Sequence, residues 1–583
     1  METEGGTVEM NPKLLAIVGC LGLAATAWAG QGKNGRGIEI RSIAYATTAP
    51  LRSFPYTPST WRPGTPPRVI PWRKPREAYK PGSGGSKPGG GGGSGAWSDP
   101  ELQPPTKPDF STTAAFQGQS FTGDIPPDTN LAVGTYTPTG ETTPETQIVQ
   151  LVNTSYAIYN TSGTPLAGGG DLGLTLFASL PSTANCSPNN PNSTTDGGDP
   201  VVLFDTLNNR WIISQLAYNS DFTQNDFCLA ISDTADATGT YEAYDIPMGG
   251  DLPDYPKLAV WGNGIYFSAN MFKLKVNPIT GSISSTFLGA QACSFPLPNW
   301  TTAPSSITFT CSGSGNTAIY NILPADMDGA SPAPPSSDGS DYYLQFVDNL
   351  SSTSGNELML YQFQSGALVS LGALTVGTFH EACGGGTCVP QLGTSQQLDS
   401  LGDRLMYRLS YRNYTGAGKQ QLAVNQSVQL TSKGNQTGIR WYELCSPSTG
   451  PLPFSVCGQG TFDPPDANYR WMGSIAQDSA GDLGLGYSES SGSIYPSIAV
   501  TGMEPGQGGM ETEAMTYSGP NFQDTYSRWG DYSGMAVDPN DDCTFWYTNE
   551  YSTTTNLLGI YNIFWGTVIG SFHMGDCTSA NSP

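Results

Sequence analysis

A polar loop residue leading into a short apolar strand recurs seven times along this 583-residue chain, and no other feature restricts its fold as much. The anchors are Asp128, Asp199, Asp254, Asp326, Asp399, Arg470 and Arg528, spaced by 71, 55, 72, 73, 71 and 58 residues. Several are followed by a strand–turn–strand pattern, as in VVLFDTLNNRWIISQ (201–215), LAVWGNGIYFSAN (258–270) and SGMAVDPNDDCTFWYTNEY (533–551). Asp205, Asp478 and Asp538 open the turns, where an Asx side chain can bond the backbone. Between the anchors, runs rich in Val, Ile, Tyr, Phe, Thr and Trp alternate with Gly, Asn, Asp, Pro and Ser, and no helical period of 12 or more residues intervenes. Units of this size hold four strands each. The pattern predicts an all-β chain folded as a β-propeller of seven blades, with six or eight also compatible with the repeat. Hydrophobic residues at 37% and aromatics at 11% suffice for its core.

The formal net charge of −24 is the sum of two opposite regions. Residues 30–108 hold twelve bases and four acids, whereas residues 109–583 hold twelve bases and 42 acids. The first region contains PGSGGSKPGGGGGSG (81–95) and a Pro/Arg-rich stretch, and is expected to be a disordered tether before the propeller. Its basic charge also admits an electrostatic contact with an anionic cell surface. The acidic body argues against a nucleic-acid partner, which would need a basic face.

Met10-Asn-Pro-Lys13, the apolar run to Ala27 and the A-x-A site Ala27-Trp28-Ala29 read as a signal peptide within residues 1–29, with translation starting at Met10. The run is too short to leave a transmembrane segment in the mature chain. Ile17-Val18-Gly19-Cys20 reads loosely as a lipobox, with the apolar run continuing past it, so lipoprotein anchoring ranks behind secretion. Loss of Cys20 with the signal leaves ten cysteines, an even number that suits up to five disulfides in an oxidising compartment. Sequence leaves the connectivity open; sequential pairing would join Cys186–Cys228, Cys293–Cys311, Cys383–Cys388, Cys445–Cys457 and Cys543–Cys577. A metal site from these cysteines is the poorer reading, because only Cys383 and Cys388 are close and the chain has two histidines.

The stretches GDPVVLFDTLNNRW (198–211), DYPKLAVWGNGIYFSANMF (254–272), RWMGSIAQD (470–478) and SRWGDYSGMAVDP…CTFWYTNEY (527–551), with PPDTNLAVG…QIVQLVNTSYAIYN (126–160), resemble a group of exported bacterial proteins, many from soil bacteria. The resemblance covers roughly residues 125–575. It implies a propeller and brings no reaction with it. Region 30–108 is not part of that pattern.

The loops that enter the innermost strands of a propeller surround one mouth of its central channel. Equivalent anchors would gather Asp128, Asp199, Asp254, Tyr255, Lys257, Asp326, Asp399, Arg470, Trp471, Arg528, Trp529, Asp531 and Tyr532 there as candidate ligand-binding residues. Lys257, Arg470 and Arg528 take three of the body's twelve bases. The plainer expectation is that these cations tie neighbouring blades, since Arg offers carboxylates a planar bidentate fork. The functional expectation is a polar site for a glycan or peptide.

Catalysis is the second class, a glycoside hydrolase of sialidase-like architecture. Arg470 and Arg528 would hold a substrate carboxylate, Tyr532 would attack, and Asp254 or Asp531 would be the acid. The S-x-D-x-G-x-x-W repeat of sialidases is absent, which leaves an analogy of architecture. No G-x-S-x-G, H-E-x-x-H or dinucleotide fingerprint occurs. No cofactor is expected. Calcium is a weaker reading at Asp326-Met-Asp328-Gly329 and Asp538–Asp542, neither of which has the EF-hand spacing. The leading expectation is a secreted or cell-surface binding module facing a glycan or protein; a structural surface protein without catalysis is the third. The composition does not define an oligomeric state.

Overall fold

The computed structural model describes residues 37–57, 67–69, 98–103, 105–106 and 110–577, less 167–168, 195, 263, 297–301, 332–333, 335–340, 350–353, 432–433, 448–453, 555–563 and 576. The proposed signal segment lies outside these residues. Among the described residues, seven antiparallel blades of four strands follow one another in sequence order; blades 4 and 5 are joined in one nine-stranded sheet, and blades 2, 3 and 5 carry added strands. Their innermost strands are Asn130–Tyr136, Val201–Asp205, Asp251–Trp261, Leu323–Met327, Met406–Tyr414, Tyr469–Gln477 and Gly534–Val537. Each packs against the next, and Gly534–Val537 returns to Asn130–Tyr136, so the ring closes with seven blades. Between blades 4 and 5 the contact is a parallel pairing, with Ala325, Asp326 and Met327 opposite Leu409, Ser410 and Tyr411.

Both ends of the chain build the last blade. Phe110–Ser120 lies antiparallel on Trp565–Met574 as the outer strand of blade 7, and the chain then enters blade 1. The apolar faces of adjacent blades bury one another. Val149, Tyr156 and Ile158 of blade 1 pack with Trp211 and Ile213 of blade 2, and Ile498 and Val500 of blade 6 with Phe545 and Tyr547 of blade 7. The turn acids act as the sequence predicts. Asp205 accepts from the backbone N–H of Leu207, Asp478 from Ala480, and Asp538 from Asn540.

Five disulfides join the cysteines in the sequential pairs, each within one repeat or its flanking loop. Such bridges persist in oxidising compartments. Among the described residues, no helix is long and apolar enough to cross a membrane.

The tether expected over 30–108 is corrected where the segment is described. Ile38–Arg41 pairs with Thr308–Cys311 at the rim of blade 3, and Ala44–Thr47 pairs with Tyr241–Gly249 at the rim of blade 2. Leu102–Gln103 lies parallel to Ser455–Phe462 on blade 5. The rim strands supply unpaired backbone groups, which a short extended segment can satisfy although it could not form a sheet alone. The basic charge also finds partners within the chain. Arg52 meets Asp236 at 2.6 Å and Arg68 meets Asp124 at 2.7 Å, while Asp99 is buried against Arg440.

Leu51 seals this belt into the core between blades 1 and 2 and is fully buried. Leu51→Ala is expected to cost about 2–3 kcal/mol. The loss should register as faster protease cleavage within 37–57; an unchanged rate would mean that the belt does not depend on this anchor.

Candidate functional site

The face where the inner strands begin, here the upper face, carries the anchor loops. The repeated element there is a residue in the left-handed region, two positions ahead of the strand in blades 1 and 2 and at a bulge within the strand in blades 3 and 6. Asp128 (φ 50°), Asp199 (φ 53°), Tyr255 (φ 56°) and Met472 (φ 56°) occupy it in blades 1, 2, 3 and 6. A polar side chain tolerates this conformation because it can bond locally; Tyr and Met hold it only where packing enforces it. The anchors chosen by polarity in blades 3 and 6, Asp254 and Arg470, are therefore out of register with those of blades 1 and 2 by one and two residues.

Seven of the thirteen predicted residues converge: Asp128, Asp199, Tyr255, Lys257, Arg528, Asp531 and Tyr532. The Lys257 ammonium lies 3.5 Å from the ring centre of Tyr255, 4.0 Å from Tyr532 and 5.5 Å from Tyr407, and donates to the Pro256 carbonyl at 2.9 Å. The tyrosines of this cage span the ring. Tyr532 donates to the Pro200 carbonyl at 2.9 Å, and Tyr407 to that of Leu258 at 3.1 Å. Around the cage, the N–H of Tyr255 donates to Asp199 at 2.9 Å and that of Asp531 to Asp128 at 2.7 Å. Arg528 pairs with Asp531 at 2.7 Å.

Asp399 stands beside this group, accepting from the hydroxyls of Thr387 and Ser527. Asp254 is half-buried at the rim. The other predicted residues lie elsewhere. Asp326 is buried, 2.6 Å from Arg408, and accepts from the Val260 N–H at 2.8 Å. Trp471 and Trp529 pack on each other with ring centres 5.9 Å apart. Arg470 faces away from the channel, its Nη2 lying 2.7 Å from Asp466, 2.9 Å from Glu489 and 2.6 Å from Glu513. These three carboxylates have the spacing of a cation site, and the guanidinium fills its centre. Asp328, the other acid of the proposed calcium loop at 326–329, is held by Arg408 and the Ser410 hydroxyl.

Burial sets the electrostatics of the mouth. It pushes the Asp199 carboxyl up to about 7, assisted by the Asp254 and Asp531 charges, and raises Asp128 well above the usual carboxylate range. Burial pulls the Lys257 ammonium down to about 7 against the opposing pull of Asp199, Asp531 and Asp128. Glu550, which accepts from the Gly530 N–H, is pushed up to about 8 by burial. Burial alone would lower the Arg528 guanidinium, but Asp531, Asp128 and Asp399 raise it.

Sequence reasoning missed Arg404, Tyr407, Arg408 and Glu550. Arg404 stacks 4.4 Å from the centre of the Tyr255 ring and pairs with Asp403 at 2.9 Å. Arg408 reaches from blade 5 to Asp326 and Asp328 of blade 4 and to the Met535 carbonyl of blade 7 at 2.9 Å. The four-residue spacing of Arg404, Arg408 and Arg412 was the available signal.

Ring and mouth together define a disulfide-bridged, seven-bladed β-propeller whose channel mouth is braced by its own charges. No model of a known family matches the chain, and no curated protein matches its sequence. Solved structures do resemble it. A protein of unknown function from Dyadobacter fermentans DSM 18053 overlays with a TM-score of 0.32 at 9% identity, covering 64% of this chain and 94% of that one. The Trypanosoma rangeli sialidase in complex with the inhibitor DANA gives 0.31 at 9% identity, covering 64% of this chain and 54% of the sialidase, so the chain spans about half that enzyme's length. The GH93 α-L-arabinofuranosidase of Fusarium graminearum gives 0.29 at 8% identity, covering 81% and 97%. At such identities no residue role passes between the chains.

Proposed function

We propose that this protein is an exported, non-catalytic recognition propeller that binds a cell-surface glycan or peptide on its upper face. One observation supports the reading above the others: the charged groups at the channel mouth neutralise one another beneath the surface. Asp128 and Lys257 are 0% and 1% exposed, and Arg528 and Asp531 are 7% and 6%. This arrangement braces the ring and leaves the surrounding loops as the polar surface available to a ligand. Export follows from the leader ending at Ala29, and the five disulfides suit an oxidising destination. The hydrolase reading has its own observation: Asp254 and Asp403 are each half-buried and so reach solvent. A glycosidase needs two carboxylates flanking one bond.

The test titrates the purified protein against immobilised glycans and cell-wall peptides while following release of reducing sugar. Saturable binding with no sugar released is expected. Sugar release that Asp254→Asn abolishes would replace the reading with a hydrolase, and no binding to any probe would leave a structural surface protein.

A further inference from the structure

An open cleft of about 460 Å³ lies on the upper face beside Asp399, between the loop before blade 5 and the loop before blade 7. Its size is that of a small-ligand site. Thr387, Thr394, Ser395, Gln396, Gln397 and Thr525 line it, with Asp524 at one side. We infer that this cleft is a subsite for a neutral saccharide, an inference that rests on the recognition function proposed above.

Three features carry it. The cleft is built rigidly. Gln391 donates to the carbonyls of Gln396 and Gln523, both at 2.9 Å, and accepts from the Gln523 N–H at 2.8 Å, so the two loops brace each other. The Cys383–Cys388 disulfide fixes the strand that carries Thr387. Thr525 stands at φ 76°, a conformation a β-branched residue adopts only where its surroundings impose it, and such strain gathers at ligand clamps.

The lining chemistry selects the ligand. Backbone acceptors around the cleft are already engaged. The carbonyls of Cys388, Gln397, Tyr526 and Arg528 accept from glutamine amides. An extended peptide would need such groups. The side chains keep part of their capacity: Gln396 and Gln397 each spend one amide proton on a carbonyl and retain the other, Thr387 and Thr525 donate to Asp399 and Asp524 but can still accept, and Thr394 accepts from the Gln396 N–H but can still donate, a mixture of donors and acceptors that hydroxyl-rich ligands match. Among the described residues no lysine or arginine lines the cleft, and Arg528 is buried, so a carboxylated or phosphorylated sugar would bring its charge against the Asp524 carboxylate.

A stacking surface adjoins the cleft. The half-buried Tyr495 and Phe522, with ring centres 6.4 Å apart, both lie against Gly393 beside Thr394. Aromatic faces of this kind pack on the apolar side of a sugar ring.

Calorimetric titration of the mature protein with cellohexaose, xylohexaose and arabinohexaose, and with sialyllactose and hexagalacturonate as acidic controls, tests the inference. At least one neutral oligosaccharide is expected to bind. Ser395→Trp, an exposed substitution that fills the cleft, should weaken it about tenfold or more. Thr525→Gly should weaken it by about tenfold while leaving the melting temperature unchanged or higher, because glycine relieves the left-handed strain as the ligand loses a hydroxyl. A purely structural Thr525 would not separate affinity from stability in this way. Neutral sugar binding that survives Ser395→Trp, or binding of the acidic sugars alone, would overturn the cleft assignment and leave the recognition function standing. Peptide binding that Ser395→Trp abolishes, with no sugar bound, would overturn the saccharide class. No binding of sugars or cell-wall peptides would overturn both.

Discussion

Arg408→Met is expected to destabilise the propeller by about 3–5 kcal/mol, the loss typical when one partner of a buried ion pair is removed. Arg408 is 5% exposed and joins three blades, through Asp326 and Asp328 on one side and the Met535 carbonyl on the other. Methionine matches much of the side chain's bulk but leaves two buried carboxylates without their cation. Urea denaturation followed by tryptophan fluorescence would show the loss as a lower midpoint. Arg408→Lys should recover little, because an ammonium cannot offer the same planar fork to two acids and a carbonyl. A loss below about 1 kcal/mol would show that the pair contributes no more than an exposed one.

Asp199→Asn is expected to make the protein more stable at pH 8, by on the order of 3 kcal/mol, and to change little at pH 4. The Asp199 carboxyl faces Asp254, Asp531, Lys257 and the Tyr255 N–H, and its own N–H donates to Asn153. Burial, its largest perturbation, moves its proton release from 3.8 to about 7. Through that window the folded chain binds more protons than the unfolded chain, so this group's stability contribution is present at low pH and falls as pH rises. Lys257 acts in the opposite sense at higher pH. It releases its proton near 7 in the folded chain and near 10.5 when unfolded, so its contribution grows from pH 7 to 10.5. Unfolding free energies of both proteins between pH 4 and 8 should show a downward slope that is shallower in the variant. Parallel curves would contradict the assignment.

Much of the ring was legible because its signals are local. A strand, an Asx turn and a second strand occupy 201–215, and each blade repeats that grammar within a span short enough to read. The cysteine pairs are also short-range, joining sequence neighbours within a repeat or, for Cys186–Cys228, across one anchor, although the sequence alone left their connectivity open. The belt was not legible. Ile38–Thr47 alternates only briefly within a Gly- and Pro-rich segment, and its strands exist because rims some 200 to 270 residues away accept them. The mouth was legible in part. Lys257 and Arg528 were found through their rarity and position and Asp531 through its position, whereas Arg470, chosen on the same grounds, precedes the bulge at Trp471–Ser474 and meets Glu489 and Glu513 instead. Arg404, Arg408 and Arg412 carried a visible regularity of four, the last two on the strand Met406–Tyr414 and the first just before it. They were missed because they follow the anchor instead of forming it.

The last blade takes its outer strand, Phe110–Ser120, from the start of the domain and its other three from the end. Its register pairs Ser120 with Gly566 and Phe110 with Met574, contacts more than 440 residues apart in sequence. Folding rate falls as such separation grows, because the chain entropy of a long loop must be lost before the contact rewards it. The last blade therefore cannot be completed until the final strand has been made. A chain truncated before Trp565 would present Phe110–Ser120 as an open edge, a template for association with its own copies. Wherever the chain folds, its two ends must meet before the propeller is complete.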